Sequence, residues 1–298
     1  MRILVTRGTG LIGRQLCTAL LAQGHELTVL SRHPETVAST CGHGVQALPS
    51  LEAWLPDQHF GAVINLAGEP ILDAYWTVKR KQALQDSRVA LTHKLVQRIA
   101  AAKNRPTVLL SASAVGYYGN GADTILDESM KAGDDFSARL CAEWEGAALA
   151  AETSGVRVCL LRTGLVLSRN GGFLGRMLLP FKLALGTRLG NGKQWMSWIH
   201  IDDYISMVLR LLNDEQLHGS FNMTAPAPVS NASFTQTLGQ TLHRPAFFIA
   251  PGFLLKLAMG ERACLLLEGQ RALPERFENS GFQFTYRTLE RALEDLLK

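Results

Sequence analysis

The stretch VTRGTGLIG, residues 5–13, constrains the fold of this chain more than any other segment. It lies between a short β-branched run, RILVT (2–6), and a segment with helical spacing of apolar residues that stops near Gly24. The next run, ELTVLSR (26–32), has the pattern of a second strand. A strand, a glycine-rich loop, a helix and a strand within about 30 residues form the unit in which a loop binds the phosphates of a dinucleotide.

The loop fits a dinucleotide-binding pattern in two alignments. Gly8, Gly10 and Gly13 spell G-x-G-x-x-G. In the pattern T-G-x-x-G-x-x-G, Gly10 and Gly13 keep their places, but Arg7 stands where the first glycine belongs. In either alignment, small residues let a phosphate approach the unpaired N–H groups at the start of the helix. Arg7 would either bind the adenosine phosphate or crowd the cofactor. We favour binding, because Gly8 can absorb strain beside it.

The end of the second strand predicts which dinucleotide binds. A carboxylate there would accept hydrogen bonds from the ribose 2′-hydroxyl of NAD, whereas an arginine accommodates the additional phosphate of NADP. This chain has Ser31 and Arg32 at the position and no carboxylate. The sequence therefore predicts NADP(H) as the cofactor.

Alternating strand and helix patterns continue through the first half of the chain. Strand patterns occupy 61–68, 106–119 and 156–168, and helical patterns lie near 77–103 and 136–153. This alternation predicts an α/β fold: a Rossmann-type, doubly wound parallel sheet with helices on both of its faces.

After residue 168 the pattern changes to glycine-rich stretches and short helices. We expect residues 1–168 to form an NADP-binding Rossmann domain, with later returns to the sheet near 195–225. Segments 169–194 and 226–298 are expected to form a smaller, mostly helical C-terminal domain on the substrate side.

Composition and charge argue against several classes of function. The 298 residues carry a net charge of +4 without a basic run, which disfavours nucleic acid as a partner. The five cysteines include no C-x-x-C pair, so neither a disulfide framework nor a zinc site is expected. We find no apolar run of about 18 residues and no signal-peptide pattern at the N-terminus. The expected location is therefore the cytoplasm, without membrane contact.

Several segments together resemble a known superfamily. They are, in order, VTRGTGLIG, VINLAGEPI, LLSASAVGYYG, LLRTGLVLS and WIHIDD. The chain resembles the extended, atypical short-chain dehydrogenases/reductases. More closely, it resembles their NADP-binding, epimerase-like family with a C-terminal domain of unknown function, to which the tail from 265 to 293 is similar. In that family the loop reads T-G-G-T-G-x-I-G, so the second alignment applies and Arg7 is a departure from it.

The resemblance implies a cofactor site along the ends of the first strands, and it is compatible with a homodimer. Leu66 and Ala67 would line the adenine-ribose side, and Arg88 and Val166 would make further contacts. Together, the loop pattern and the resemblance predict these cofactor-binding residues: Arg7, Gly8, Gly10, Leu11, Ile12, Gly13, Ser31, Arg32, Leu66, Ala67, Gly68, Arg88 and Val166.

The usual catalytic pair of the superfamily is missing. Most members use Tyr-x-x-x-Lys, in which the tyrosine moves a proton while hydride moves at the nicotinamide. Alignment on Glu145 places Ser137 at the tyrosine position and Cys141 at the lysine position. Tyr75 and Lys79 have the right spacing, but they lie on the wrong segment of the chain.

Two residues remain as candidate catalytic groups. Ser113 falls where the catalytic serine of the superfamily lies, at the carboxyl end of a parallel strand, although such a hydroxyl can also cap a strand end. Tyr117 could supply a phenol, although aromatic packing beneath a loop is the simpler interpretation. Glu69 directly follows the glycine that ends a strand and is a further candidate acid.

Other residues have simpler structural interpretations. His200, Asp202 and Asp203 are metal-ligating types, but two acids before an apolar helix are more simply its N-terminal cap, so no metal site is predicted. The stretch 195–198, which contains two tryptophans and a methionine, is expected to pack or to form the wall of a pocket.

Two functions stay open at this point. The first is an NADP-dependent oxidoreductase or epimerase-like enzyme acting on a small polar substrate, with Ser113 orienting a substrate oxygen and Tyr117 as the acid. The alternative is a non-catalytic NADP-binding regulator or partner-binding protein, which the missing Tyr/Lys pair favours. The sequence does not identify the substrate.

Overall fold

The computed structural model describes residues 1–298. Its strands are, in chain order, β1 (Arg2–Thr6), β2 (Glu26–Leu30), β3 (Gln46–Leu48), β4 (Ala62–Asn65), β5 (Val108–Ala114), β6 (Ile125–Leu126), β7 (Arg157–Thr163), β8 (Leu165–Ser168), β9 (Thr187–Leu189), β10 (Trp195–Met196), β11 (Trp198–His200), β12 (Gly219–Met223), β13 (Val229–Ser230), β14 (Phe248–Ala250) and β15 (Arg271–Ala272).

Twelve α-helices connect or cover these strands. They are α1 (Leu11–Ala22), α2 (Val37–Cys41), α3 (Val78–Gln85), α4 (Leu91–Ala101), α5 (Phe136–Leu149), α6 (Gly172–Lys182), α7 (Ile201–Asn213), α8 (Asn231–Thr241), α9 (Gly252–Met259), α10 (Cys264–Leu267), α11 (Glu275–Asn279) and α12 (Leu289–Leu297). A single π-helical turn, Asp86–Ala90, joins α3 to α4.

Seven strands form one parallel sheet in the order β12-β7-β5-β4-β1-β2-β3. Side chains alternate between its two faces along each strand. Ile3 packs in one core with Leu16 of α1, whereas its neighbour Leu4 packs in the other core with Leu95 of α4. Helices therefore bury both faces, and the predicted Rossmann-type, doubly wound α/β fold is confirmed.

A buried polar network holds the carboxyl ends of the central strands together. Thr6 Oγ1 donates to Asn65 Oδ1 at 2.8 Å and accepts from the N–H of Leu66 at 3.0 Å. The Asn65 amide donates in turn to Thr92 and Ser111. Because these groups satisfy one another out of reach of water, they fix the chain where β1 and β4 end.

The chain after residue 168 contributes to the main sheet only through β12, which lies at the edge beside β7. The segment 156–168, predicted as one strand, is broken at Gly164 into β7 and β8. A Cβ at Gly164 would lie 2.2 Å from the carbonyl oxygen of Ser197, so only glycine allows the chain to pass there. Strand β8 then pairs with β11 outside the main sheet.

The N-terminal cap of α7 differs from the sequence interpretation. Asp202 and Asp203 do not cap α7, because Nδ1 of His200 accepts from the N–H of Asp202 at 3.1 Å. The carboxylate of Asp203 instead accepts from two backbone N–H groups of the C-terminal segment, at 285 and 286. At α8, the hydroxyl of Ser230 caps the helix, while Asn231 accepts from the N–H of Leu189.

Candidate active site

A cavity of about 520 Å³ lies between the carboxyl edge of the sheet and the C-terminal segments. Its walls come from the ends of β1, β4, β5 and β7, from the start of α5, and from the chain around β9, β10 and α10. In parallel α/β sheets this edge is where ligands bind. Of the residues predicted to bind the cofactor, six line this cavity: Arg7, Ile12, Leu66, Ala67, Gly68 and Arg88.

The remaining predicted cofactor residues lie outside the lining. Gly8, Gly10, Leu11 and Gly13 belong to the loop and first turn of α1, Ser31 and Arg32 follow β2, and Val166 lies on β8. Gly10 is the N-cap of α1, and no side chain caps this helix and no acidic residue stands in its first turn. The N–H groups of the turn are thus left to a ligand, which suits a phosphate.

Close packing of the loop requires glycine at two positions. A Cβ at Gly13 would lie 2.4 Å from the carbonyl oxygen of Arg7 and 2.6 Å from that of Gly8. A Cβ at Gly8 would lie 2.7 Å from Val29 of the neighbouring strand β2. The loop therefore runs directly over the sheet and brings the N-terminus of α1 up to the strand ends.

Arg7 takes a backbone conformation that usually belongs to glycine. Its φ is 54°, in the left-handed region, which costs a residue with a Cβ about 1–2 kcal/mol. Arg7 and Arg32 are both accessible to solvent. Thr6 pairs with Leu30, so Arg7 and Arg32 follow the carboxyl ends of neighbouring strands. Partial burial lowers the pKa of Arg7, the charge of Glu69 opposes that shift, and the charge of Arg32 adds to it.

Arg88 lies on the π-helical turn and packs its guanidinium against Gly68. A Cβ at Gly68 would come within 3.1 Å of that group. Arg88 donates to the carbonyl oxygen of Glu69 at 2.7 Å and lies over the ring of Trp144. Burial lowers its pKa to about 10, which still leaves it cationic at neutral pH. This is a fixed positive charge in the cavity wall.

Ser113 lines the cavity, and its hydroxyl is held from behind. It donates to Oε1 of Glu145 at 2.6 Å. Both carboxylate oxygens of Glu145 accept from Arg162 at 2.9 Å, and all three side chains are almost fully buried. Burial disfavours the Arg162 charge, but the hydrogen bonds and charge of Glu145 outweigh it and raise the pKa of Arg162. Sequence reasoning used Glu145 only as an alignment point and missed this ion pair.

The positions of the missing catalytic pair also face the cavity. Ser137 and Cys141, one turn apart on α5, both line it. The hydroxyl of Ser137 is buried and has no hydrogen-bond partner within the protein. Burial, and to a lesser extent the charge of Glu145, raises the pKa of the Cys141 thiol to about 12. Cys141 is therefore neutral and cannot replace the charge of a lysine.

None of Tyr75, Tyr117 and Tyr204 takes the place of the missing catalytic tyrosine. Tyr117 is not among the lining residues, and its ring lies under the Arg162 guanidinium, 3.6 Å from ring centroid to carbon. The tyrosine that does line the cavity, Tyr204, is fully buried and hydrogen-bonded to Thr163. Burial raises its pKa to about 12. Tyr75 is exposed and donates to the carbonyl oxygen of Ala258, away from the cavity.

The wall opposite the sheet is mostly apolar. It is formed by Ile71, Leu72, Phe173, Leu189, Trp195, Met196, Leu265 and Leu266, with polar groups at its edges. Trp198, by contrast, is fully buried and donates to the carbonyl oxygen of Ala227. Glu69 lines the cavity and forms an ion pair with Arg80. The sequence did not predict that α10 lines the cavity, because a short apolar helix carries no signal of where it packs.

His200, Asp202 and Asp295 approach one another away from this cavity. They tie the start of α7 to α12, with His200 Nε2 3.4 Å from the Asp295 carboxylate. The ring of His200 stacks on Tyr286 with centroids 3.7 Å apart.

Comparison with family models divides the chain into two matched regions. Residues 3–223 match the NAD-dependent epimerase/dehydratase family, and residues 250–296 match a domain of unknown function, DUF1731. The second region contains the α9 and α10 segments and the C-terminal helix.

Similar proteins are found in plants and bacteria. An Arabidopsis thaliana protein described as an epimerase family protein SDR39U1 homolog, chloroplastic, is 40% identical over 100% of this chain and 87% of its own length. The epimerase family protein YfhF of Bacillus subtilis is 37% identical, over 100% of this chain and 98% of its own length.

Solved structures show the same architecture. Human epimerase family protein SDR39U1, crystallised with NADPH, superposes with a TM-score of 0.91 at 36% identity and covers 99% of both chains. A UDP-galactose 4-epimerase superposes with a TM-score of 0.77 at 17% identity, covering 99% of this chain and 97% of its own, which shows a shared fold alone.

Proposed function

Because this chain belongs to the NAD-dependent epimerase/dehydratase family, we propose that it binds NADP(H) and acts as an oxidoreductase on a carbonyl or alcohol substrate with an apolar body. The observation that carries the proposal is the continuity of the cavity. It runs from Arg7 and Ile12 at the glycine loop, past Ser113, to the apolar wall built by the C-terminal segments.

The cofactor half of this proposal rests on the phosphate-binding features of the loop. The uncapped N-terminus of α1, the close-packed Gly13 and the neighbouring cations Arg7 and Arg32 suit a dinucleotide with an additional phosphate. The human relative that superposes over 99% of both chains was crystallised with NADPH. Leu66, Ala67 and Gly68 would lie beside the cofactor along the strand ends.

The substrate half departs from the small polar molecule expected from the sequence. An apolar wall gains free energy by excluding water from an apolar surface, about 25 cal/mol per Å² buried. Gln194 lines the same region, and its amide nitrogen donates to the carbonyl oxygens of Leu189 and Leu266. A ligand with an apolar body and one polar end fits this lining better than a sugar nucleotide does.

Bound NADPH would supply a hydride, and the protein would position the substrate and stabilise charge. In carbonyl reduction the hydride would add to the carbonyl carbon, and water would supply the proton for its oxygen. The Ser113 proton is directed at Glu145, so Ser113 would use its oxygen lone pairs to accept a hydrogen bond from that water or from the hydroxyl that forms. Arg88 would provide the positive charge that a lysine gives in most of the superfamily. With no tyrosine acid in place, turnover should be about 10²–10⁴ slower than in enzymes that keep the pair.

A non-catalytic, NADP(H)-binding regulator is the second candidate. The observation that favours it is the neutral Ser137 and Cys141 at the positions of the usual catalytic pair. In that case the cavity would still bind the cofactor, and the protein would respond to whether NADP(H) is bound.

Calorimetric titration with NADPH and NADH, followed by NADPH oxidation with a panel of aldehydes, ketones and nucleotide sugars, separates these possibilities. We expect one NADPH per chain and slow oxidation with apolar carbonyl compounds that is lost in Ser113→Ala and kept in the control Tyr117→Phe. Binding without oxidation by any compound would favour the regulator. Absence of NADPH binding would refute both.

A further inference from the structure

An apolar surface is exposed beside the cavity, on the segment from 247 to 257. Helix α9 has no buried residue, although its sequence, GFLLKLAM, is almost entirely apolar. We define the α9 face as the exposed side chains of this segment: Phe247, Phe248, Ile249, Phe253, Leu254 and Leu257. Leu257 is 82% exposed and Phe253 is 70% exposed. So many exposed large apolar side chains within one short segment are typical of a surface that has a partner.

The α9 face is anchored to the rest of the molecule. Strand β14 pairs in parallel with β9, so Phe248 lies opposite Thr187 and Ala250 opposite Leu189. Phe253 and Leu257 are four residues apart and therefore lie on one side of α9, and Leu254 lies beside them. Leu189, at the end of β9, and the first residues of α10 line the cavity. The segment that carries the α9 face is therefore attached to the wall of the active site.

The two chain segments that form the α9 face carry cationic side chains and no carboxylate. No Asp or Glu occurs in residues 153–201 or 216–260, the two segments from which β9, β14 and α9 come. Exposed cations in these segments include Lys182, Arg244 and Lys256. The first carboxylate after α9, Glu261, is already paired with Lys81 at 2.7 Å. The surroundings of the face therefore repel a cationic partner and attract an anionic one.

We infer that the α9 face docks the protein on an anionic lipid surface. An amphipathic segment with aromatic and leucine side chains and flanking Lys or Arg binds at the boundary between headgroups and acyl chains. No helix here is long and apolar enough to cross a bilayer, so the contact is peripheral. A second copy fits less well, because a symmetric contact would bring the cationic surroundings of the two faces together. The sequence-based expectation of no membrane contact is the alternative that the vesicle experiment tests.

Flotation of the full-length protein with vesicles tests the inference. One set is made of phosphatidylcholine alone and the other contains phosphatidylglycerol. We expect binding to the anionic vesicles, weakened by salt, and at least about tenfold weaker binding to the neutral ones. Leu257→Glu should lower the affinity for anionic vesicles about tenfold or more, since it replaces an inserted apolar group by a charge.

Leu55→Glu is the matched control, because Leu55 is 64% exposed and lies in the loop before β4, outside the α9 face. It should bind like the wild type. Light scattering on the same samples reports the oligomeric state. No binding to anionic vesicles, or equal binding by Leu257→Glu and wild type, overturns the inference. A wild-type dimer that Leu257→Glu converts to a monomer, without vesicle binding, assigns the face to a second copy instead.

Discussion

Ser113 donates a 2.6 Å hydrogen bond to the Oε1 atom of Glu145, which lies 32 residues further along the chain. This contact commits the serine proton to a carboxylate that Arg162 holds on both oxygens. A serine predicted from its place at a strand end is thus part of a buried ion-pair network that the sequence did not reveal. The network joins β5, α5 and β7 directly behind the cavity.

Breaking the ion pair should destabilise the fold. Glu145→Gln removes the charge that compensates Arg162 while both side chains are buried, with 5% and 4% exposure. We expect the free energy of unfolding to fall by about 3–5 kcal/mol, because the guanidinium stays buried without its counter-charge. Urea denaturation measures the loss. The double variant Glu145→Met with Arg162→Met should recover much of it, and a change below about 1 kcal/mol in Glu145→Gln would contradict the assigned role.

Substitution in the glycine loop should prevent cofactor binding. Gly13→Ala places a Cβ 2.4 Å from the carbonyl oxygen of Arg7, so the loop must shift away from α1. We expect a loss of about 1–3 kcal/mol in stability from this overpacking and no measurable heat on titration with NADPH.

Gly146→Ala serves as the control for that variant. Gly146 is exposed within α5, and a Cβ added there would meet no atom within 4 Å apart from its chain neighbours and the backbone of its own helix. This change should stabilise the helix by about 0.5–1 kcal/mol and leave NADPH affinity unchanged. Normal NADPH binding by Gly13→Ala would show that the cofactor does not use this loop.

Replacing Arg7 by glycine should leave the protein as stable as before or more stable, but should weaken its binding of NADPH. Arg7→Gly relieves the left-handed backbone at φ 54°, and part of that gain, about 0.5–1 kcal/mol, is offset by the greater freedom of glycine in the unfolded chain. We expect a variant about 1 kcal/mol more stable or unchanged. Loss of a charge-assisted phosphate contact, worth about 1.5–3 kcal/mol, should weaken NADPH about tenfold or more and leave NADH unaffected.

Arg32→Ala is the comparison for Arg7→Gly, since it would remove the phosphate contact proposed for Arg32 without changing the loop backbone. It should also weaken NADPH selectively in calorimetric titration. If Arg7→Gly instead tightens NADPH and NADH equally, Arg7 obstructs the cofactor site rather than binding the phosphate.

His200 should make stability depend on pH. Burial lowers its pKa from the usual value near 6.5, although the carboxylates of Asp202, Asp295 and Asp203 oppose the shift. The unfolded chain therefore binds the proton more readily than the folded one. The resulting stabilisation is complete above about pH 7 and is lost as the pH falls through 6.5 and below.

His200→Asn tests this dependence, because its side-chain oxygen can still cap α7 but does not titrate. Urea unfolding at a series of pH values between about 5 and 8 should show a smaller loss of stability on acidification in the variant than in the wild type. Parallel pH profiles for the two proteins would assign the effect to other groups.

The structure of the first half of this protein could be predicted from local patterns in its sequence. The glycine loop, its flanking strands, Ser31 and Arg32 at the end of β2, and the alternation of strands and helices all follow from periodicity and residue type over short stretches. Such features are visible in sequence because a parallel sheet buried on both faces requires apolar strands at regular intervals. The Rossmann-type fold could therefore be predicted from the sequence alone. The three-residue strand β3 could not, because so short a segment carries no distinguishable period.

The tertiary structure decided how the side chains of the site are used. Only the packing of α5 against β5 and β7 shows that Ser113 faces Glu145, and that Tyr117 lies under Arg162 instead of lining the cavity. The cap of α7 by His200, and the use of Asp203 to hold the C-terminal segment, depend likewise on contacts between distant parts of the chain. Hydrogen bonds and ion pairs between residues far apart in sequence leave no periodic trace, so the fold had to be known before these roles could be assigned.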